Sequence, residues 1–238
     1  MKTLLLVLAA VAAPAAPAAL DKPPVIKEWP VPWGDTRPRD PYLDPTANRI
    51  WFCGQAGNYV AYFVPATGEF KRYELPPNSG PHNLIVDKSG YVWYSGNLAG
   101  YIGRLDPKDG SIKQYPMPDP MVRDPHTMVF DKSGDIWFTA QGGNAIGKLT
   151  VSTGKVQLLK VPTENAHPYG IKLDSKGHPW VVLFGTNKIA TIDPATMQLR
   201  EITLPRAEAR PRRRPCRRPG YCRRRRNVRC TCPSRHRQ

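Results

Sequence analysis

Four tryptophans return along this chain at nearly equal intervals, and that interval limits what it can fold into. Trp51, Trp93, Trp137 and Trp180 stand 42, 44 and 43 residues apart. Three of them follow turns of matching composition: Asp87-Lys88-Ser89-Gly90, Asp131-Lys132-Ser133-Gly134 and Asp174-Ser175-Lys176-Gly177. A period of roughly 40–50 residues with strand-like filling is that of a β-propeller blade.

The second repeat shows the filling. Pro81-His82-Asn83-Leu84-Ile85-Val86 is an apolar run that ends in the Asp87 turn. Tyr91 to Ser95 follows, rich in the aromatic and β-branched residues that suit a half-buried pleated surface. Tyr101 to Leu105 and Ser111 to Tyr115 supply two more strands, the last closed by Pro116 as an outer edge strand would be. Nowhere is there sustained helical periodicity. The expected fold is therefore all-β, a propeller with four recognisable four-stranded blades over about 41–78, 79–120, 121–163 and 164–205. Residues 25–31 read as a strand of the closing blade.

Composition divides the chain rather than describing it. The formal charge of +16 is concentrated in residues 206–238, which hold fourteen arginines, no lysine and one acid, Glu208. The body is nearly neutral, so nucleic acid is not an expected partner of the propeller. Three readings fit the tail: a disordered basic arm for polyanions, a zinc site from Cys222, Cys230, Cys232 and His236, or translation out of frame. Where the next blade should begin, the chain turns to Arg, Pro, Gly and Cys, as a GC-rich gene does in a shifted frame, and the expectation is the third.

At the other end, Lys2, the apolar run Leu4 to Val11 and the small residues Ala16-Pro17-Ala18 form an export signal over residues 1–19. Its apolar run is too short to span a bilayer, which takes about 20 residues. The expected location is secreted or periplasmic, without a membrane span. Cys53 shares a repeat slot with Ser95, Thr139 and Val182, so it reads as a small strand residue.

In a propeller the first strand of each blade lines the central channel. The residues leading into those strands are Tyr42, His82, His126 and Tyr169, with Asp40, Gly80, Asp124 and His167 just upstream or close by. Imidazoles and carboxylates converging on one mouth can bind a cation or act as acid and base near neutral pH. They can equally cap the strand starts, and Pro-His recurs as repeats copy structural residues too.

The pattern Pro-His-x-apolar-x-x-Asp-x-x-Gly-x-apolar-Trp-Phe/Tyr, then Asn-x-Ile-Gly-Lys/Arg-Leu, resembles virginiamycin B lyase and its streptogramin lyase-like relatives over roughly residues 40–205. The resemblance implies a seven-bladed propeller, of which this chain holds four blades. It also implies a magnesium-dependent lyase that opens a cyclic depsipeptide antibiotic by elimination at its ester. Residue by residue, Asp124-Pro125-His126 matches the family's acid-x-His, with Asp124 as metal ligand and His126 as catalytic proton carrier. Tyr42, His82, His167 and Tyr169 would contact a small-molecule or peptide ligand at the channel mouth. The family's second glutamate falls on Ala140, and the equivalent slots hold Gly54, Gly96 and Leu183. The chain is therefore expected to be inactive, and a non-catalytic propeller binding a ligand or protein is the alternative. Fold alone does not choose between them.

Overall fold

A computed structural model of the chain describes residues 25–211. The sheets belong to a unit that begins at Val31. Each tryptophan repeat folds into one four-stranded antiparallel sheet whose strands follow sequence order. The first comprises β1 (Pro38–Leu43), β2 (Ile50–Gly54), β3 (Tyr59–Val64) and β4 (Glu69–Glu74). The second comprises β5 (Pro81–Val86), β6 (Val92–Gly96), β7 (Tyr101–Leu105) and β8 (Ile112–Pro116). The third holds β9 (Pro125–Phe130), β10 (Ile136–Ala140), β11 (Ala145–Thr150) and β12 (Lys155–Lys160), and the fourth β13 (Pro168–Leu173), β14 (Pro179–Leu183), β15 (Lys188–Ile192) and β16 (Leu199–Thr203). The first strands of successive sheets lie side by side, β1 by β5, β5 by β9 and β9 by β13. This is the blade arrangement of a propeller.

Tryptophan explains why the sheets stack. Trp51 packs among Leu84, Val86 and Val92 of the second blade. Trp93 packs with Met128, Ile136 and Phe138 of the third, and Trp137 with Ile171, Val181 and Ala190 of the fourth. Each indole is thus the seam between its own blade and the next, fully desolvated in the first three blades. Trp180 is only half-buried, since the described residues hold no fifth sheet to cover it. At the opposite end, the segment leading into β1 lays Trp33 edge-on against Tyr59 at 5.1 Å and Phe70 at 6.2 Å, covering the outer face of the first sheet.

The Asp-x-x-Gly turns orient the indoles. Asp87 Oδ1 accepts the amides of Ser89 and Tyr91, while Oδ2 accepts the Trp93 Nε1–H at 2.9 Å. Asp174 does the same for Lys176, His178 and Trp180, and Asp44 for Thr46 and Trp51. Gly90, Gly134 and Gly177 close the three matching turns at φ 86°, 84° and 91°, where a side chain would be strained. The third blade differs. Lys148 Nζ stands 3.0 Å from Asp135 and 3.5 Å from Asp131, and the buried Trp137 Nε1 has no hydrogen-bond partner.

Residues 25–31, expected as a strand of a closing blade, adopt no strand. A strand of this kind is held by its ladder, and no described sheet edge pairs with them. Residues 1–19, expected as an export signal, and the tail from residue 212 onward lie outside the described residues. No helix among the described residues is long and apolar enough to cross a membrane.

Asp44 carries the first blade's turn and is 4 % exposed. Burial pushes its carboxyl up, but hydrogen bonds from Arg49, Thr46 and Trp51 outweigh this and hold it at about 2. A folded value below the ordinary one stabilises the fold above about pH 4, and that stability is lost as the pH falls toward 2. Urea unfolding between pH 5 and pH 2 is therefore expected to show a falling midpoint, with a shallower fall in Asp44→Asn. Asp44→Ala is expected to cost about 2 kcal/mol at pH 7, because it strands the buried Trp51 donor and leaves the half-buried Arg49 without its carboxylate.

Candidate functional site

Every inner strand is interrupted by a pair of residues that begins eleven positions before its blade's tryptophan. In β5, Leu84 pairs with Tyr94 and Pro81 with Gly96, so His82 and Asn83 together face Ser95 alone. In β9, His126 and Thr127 face Thr139, and in β13, Tyr169 and Gly170 face Val182. In β1, Asp40 and Pro41 face Phe52. Two residues against one is a β-bulge, which re-aims a side chain that the pleat would otherwise have fixed. A bulge also leaves the second residue's amide without its ladder partner. Ser95 Oγ accepts the Asn83 N–H at 3.0 Å and Thr139 Oγ1 the Thr127 N–H at 3.3 Å. Pro41 has no N–H, and the apolar Phe52 opposite it suffices.

The first residues of the four bulges meet in chain order. Asp40 Oδ2 stands 3.7 Å from His82 Nδ1. The His82 and His126 rings lie 3.6 Å apart between centroids, and His126 and Tyr169 4.3 Å. His126 Nδ1 shares a 2.9 Å hydrogen bond with Thr127 Oγ1. Asp40 also receives Asn83 Nδ2–H at 3.4 Å and sits at φ 51°, a left-handed conformation that is strained for a residue with a side chain. This ribbon of a carboxylate, two imidazoles and a phenol forms part of the wall of a cavity of about 800 Å3. Leu84, Met128, Ile171 and Val181 supply apolar lining. A concave, largely apolar site with a few convergent polar groups is the usual form of a small-molecule pocket.

Of the residues expected at the channel mouth, Tyr42, His82, His126 and Tyr169 line this cavity, whereas Asp124 and His167 do not. Both of those grip the turn between β10 and β11. The Asp124 carboxylate accepts the amides of Gly142 and, at 2.9 Å, Gly143. His167 Nδ1 lies 3.2 Å from the Gln141 carbonyl, and its amide donates to Asn144 Oδ1. Tyr42 is in the cavity but off the ribbon. It pairs with Trp51, the place that Ile85 and Val129 hold opposite Trp93 and Trp137, and burial raises its phenol. The ribbon member of the first blade is Asp40.

Counting would have found it. Asp40, His82, His126 and Tyr169 each stand eleven residues before their blade's tryptophan. Alignment on the Pro-x pair selects Tyr42 instead. The first blade's turn from Asp44 to Trp51 is one residue longer than the others, and its bulge falls one ladder step nearer that turn, opposite Phe52 rather than Cys53.

The slots matching the family's glutamate end β2, β6, β10 and β14 and are buried. A Cβ on Gly54 would meet the Tyr59 ring at 2.1 Å, and one on Gly96 the Tyr101 ring at 2.8 Å. Ala140 packs with Val122 and Ala145. Magnesium takes near-octahedral oxygen coordination. The cavity offers one carboxylate beside imidazoles, and no group of three or more His, Cys, Asp or Glu suited to a metal occurs among the described residues. The described donor set does not fit magnesium.

The sequence profile of the virginiamycin B lyase family matches residues 18–213. No curated protein sequence matches the chain significantly. Among solved structures, virginiamycin B lyase from Staphylococcus aureus is 28% identical with a TM-score of 0.70, the match covering 76% of this chain and 60% of that protein. A catalytically inactive histidine-to-alanine variant of the same lyase, with quinupristin, gives 28% identity and a TM-score of 0.69, again over 76% of this chain and 60% of that one. An extracellular domain assigned to a hybrid two component system of B. thetaiotaomicron shares the fold at 20% identity and a TM-score of 0.56, covering 71% of this chain and 24% of that one. This chain thus spans about 60% of the length of the lyases it matches.

Proposed function

Because the chain belongs to the virginiamycin B lyase family, we propose that its cavity binds a cyclic peptide lactone of the streptogramin class without opening it. The observation that carries the reading is the Asp40–His82–His126–Tyr169 ribbon, which sets four polar groups from four consecutive blades against apolar lining. Its imidazoles and phenol offer ring faces and hydrogen bonds to a peptide ring, and the quinupristin complex of the related lyase supports the ligand class.

Opening the lactone by elimination asks for two things. A base must take the proton beside the ester linkage, and a cation or acid must receive the departing carboxylate. His126, which lines the cavity from a bulge, suits the first task. The second is where the described residues fall short: the glutamate slots are sealed by tyrosine rings or apolar packing, and Asp124 is spent on a turn. Binding therefore outlasts catalysis in this reading, and magnesium, the family's cofactor by resemblance, adds no step.

Residues 1–19 act as the export signal in this proposal, placing the cavity outside the cytoplasm. Sequencing the mature N-terminus tests this: a start near Ala19 or Leu20 is expected, and retention of Met1 contradicts it.

For the binding site, quinupristin titrated into the purified chain is expected to bind saturably, and His126→Ala to weaken it at least tenfold. Chromatography of the recovered ligand should show the lactone intact, with or without added magnesium. Absence of binding overturns the ligand class; a linearised product lost in His126→Ala overturns the non-catalytic reading.

A further inference from the structure

The two hydroxyls that face the bulges do more than satisfy their own blade. Ser95 Oγ, which accepts the Asn83 amide, lies 3.1 Å from the carbonyl of His126 in the next blade and 3.3 Å from that of Asn83, so its single proton is directed between them. Thr139 Oγ1, which accepts the Thr127 amide, donates to the carbonyl of Tyr169 in the blade after, at 2.7 Å. Each hydroxyl thus ties the bulge of its own blade to the backbone of the next ribbon member. Both are fully buried. Asn83 reinforces the first tie, its Oδ1 accepting the Met128 amide at 2.9 Å.

We propose that Ser95 and Thr139 are positioning residues, which set the ring spacing of the ribbon by pinning His126 to the His82 bulge and Tyr169 to the His126 bulge. This deepens the reading of the ribbon as the ligand-binding wall and rests on it. Inter-blade packing by the tryptophans fixes how the sheets lean together, and the hydroxyl bonds to the His126 and Tyr169 carbonyls fix where each next bulge sits within that packing. A hydroxyl at this slot accepts from one bulge and donates to the next with a single atom. Ser95 and Thr139 fill this role; in the fourth blade Val182 faces the bulge, and no further sheet follows among the described residues. Cys53 stands at the same distance from its tryptophan, but the bulge of the first blade faces Phe52 instead.

The test is spectroscopic and needs no ligand, so it stands apart from whether quinupristin binds. In the full chain labelled at histidine and tyrosine, nuclear Overhauser contacts are expected between the His82 and His126 rings and between His126 and Tyr169. Ser95→Ala should remove or weaken the first and shift the His126 ring resonances, and Ser95→Thr should restore both. Thr139→Val should do the same to the second contact, and Thr139→Ser restore it. Asp44→Asn, which weakens the fold away from the ribbon, should lower thermal stability and leave the ring resonances in place. A folded Ser95→Ala or Thr139→Val with unchanged ring contacts and shifts overturns the proposal. If Ser95→Ala fails to fold, Thr139→Val decides it alone.

Discussion

The tryptophan indoles, held by an aspartate of the preceding turn in the first, second and fourth blades and buried against the next sheet in the first three, are the contact on which the rest of this structure depends. The indole does two jobs at once. Its area supplies the hydrophobic seam between sheets that share no backbone hydrogen-bond ladder. Its Nε1–H, bonded to Asp44, Asp87 or Asp174, fixes the indole relative to the turn that precedes it. Burying the donor without that acceptor would cost stability. The third blade shows the arrangement with one part exchanged, since Lys148 draws on Asp131 and Asp135 and Trp137 Nε1 goes unbonded.

With the tryptophan fixed, the inner strand has a measured distance to run, and a bulge falls eleven residues upstream in every blade. That regularity turns an apolar strand into a site. A strand residue in register would point along the pleat, toward either the seam or the ladder's other face. A bulge residue is released from that choice, and four of them line up as Asp40, His82, His126 and Tyr169.

Much of this was legible beforehand. The four sheets sit where the repeat put them, because alternation and turn chemistry are local and every blade repeats them. Legibility failed where one side chain could serve two masters. Asp124-Pro125-His126 looks like one acid-x-His unit in sequence, yet His126 enters the cavity while the Asp124 carboxylate, on the residue before β9, caps the Gly142–Gly143 turn. His167 is likewise drawn to the backbone of that turn. Tyr42, not Asp40, follows the proline of the first blade's Pro-x pair, and only the strand pairing shows that Asp40 occupies the bulge. Residues 25–31 have strand-like composition, but a strand needs a neighbour, and composition cannot supply one.

The ribbon and the sealed glutamate slots together separate recognition from chemistry: the wall that would meet a ligand is present, while the oxygen donors for the family's metal are not assembled among the described residues. A crystal structure of the chain soaked with quinupristin tests this most directly. The account predicts ligand density against the His82, His126 and Tyr169 rings, with the lactone closed. Density on another face of the sheets, or an opened lactone bound at the ribbon, would contradict it.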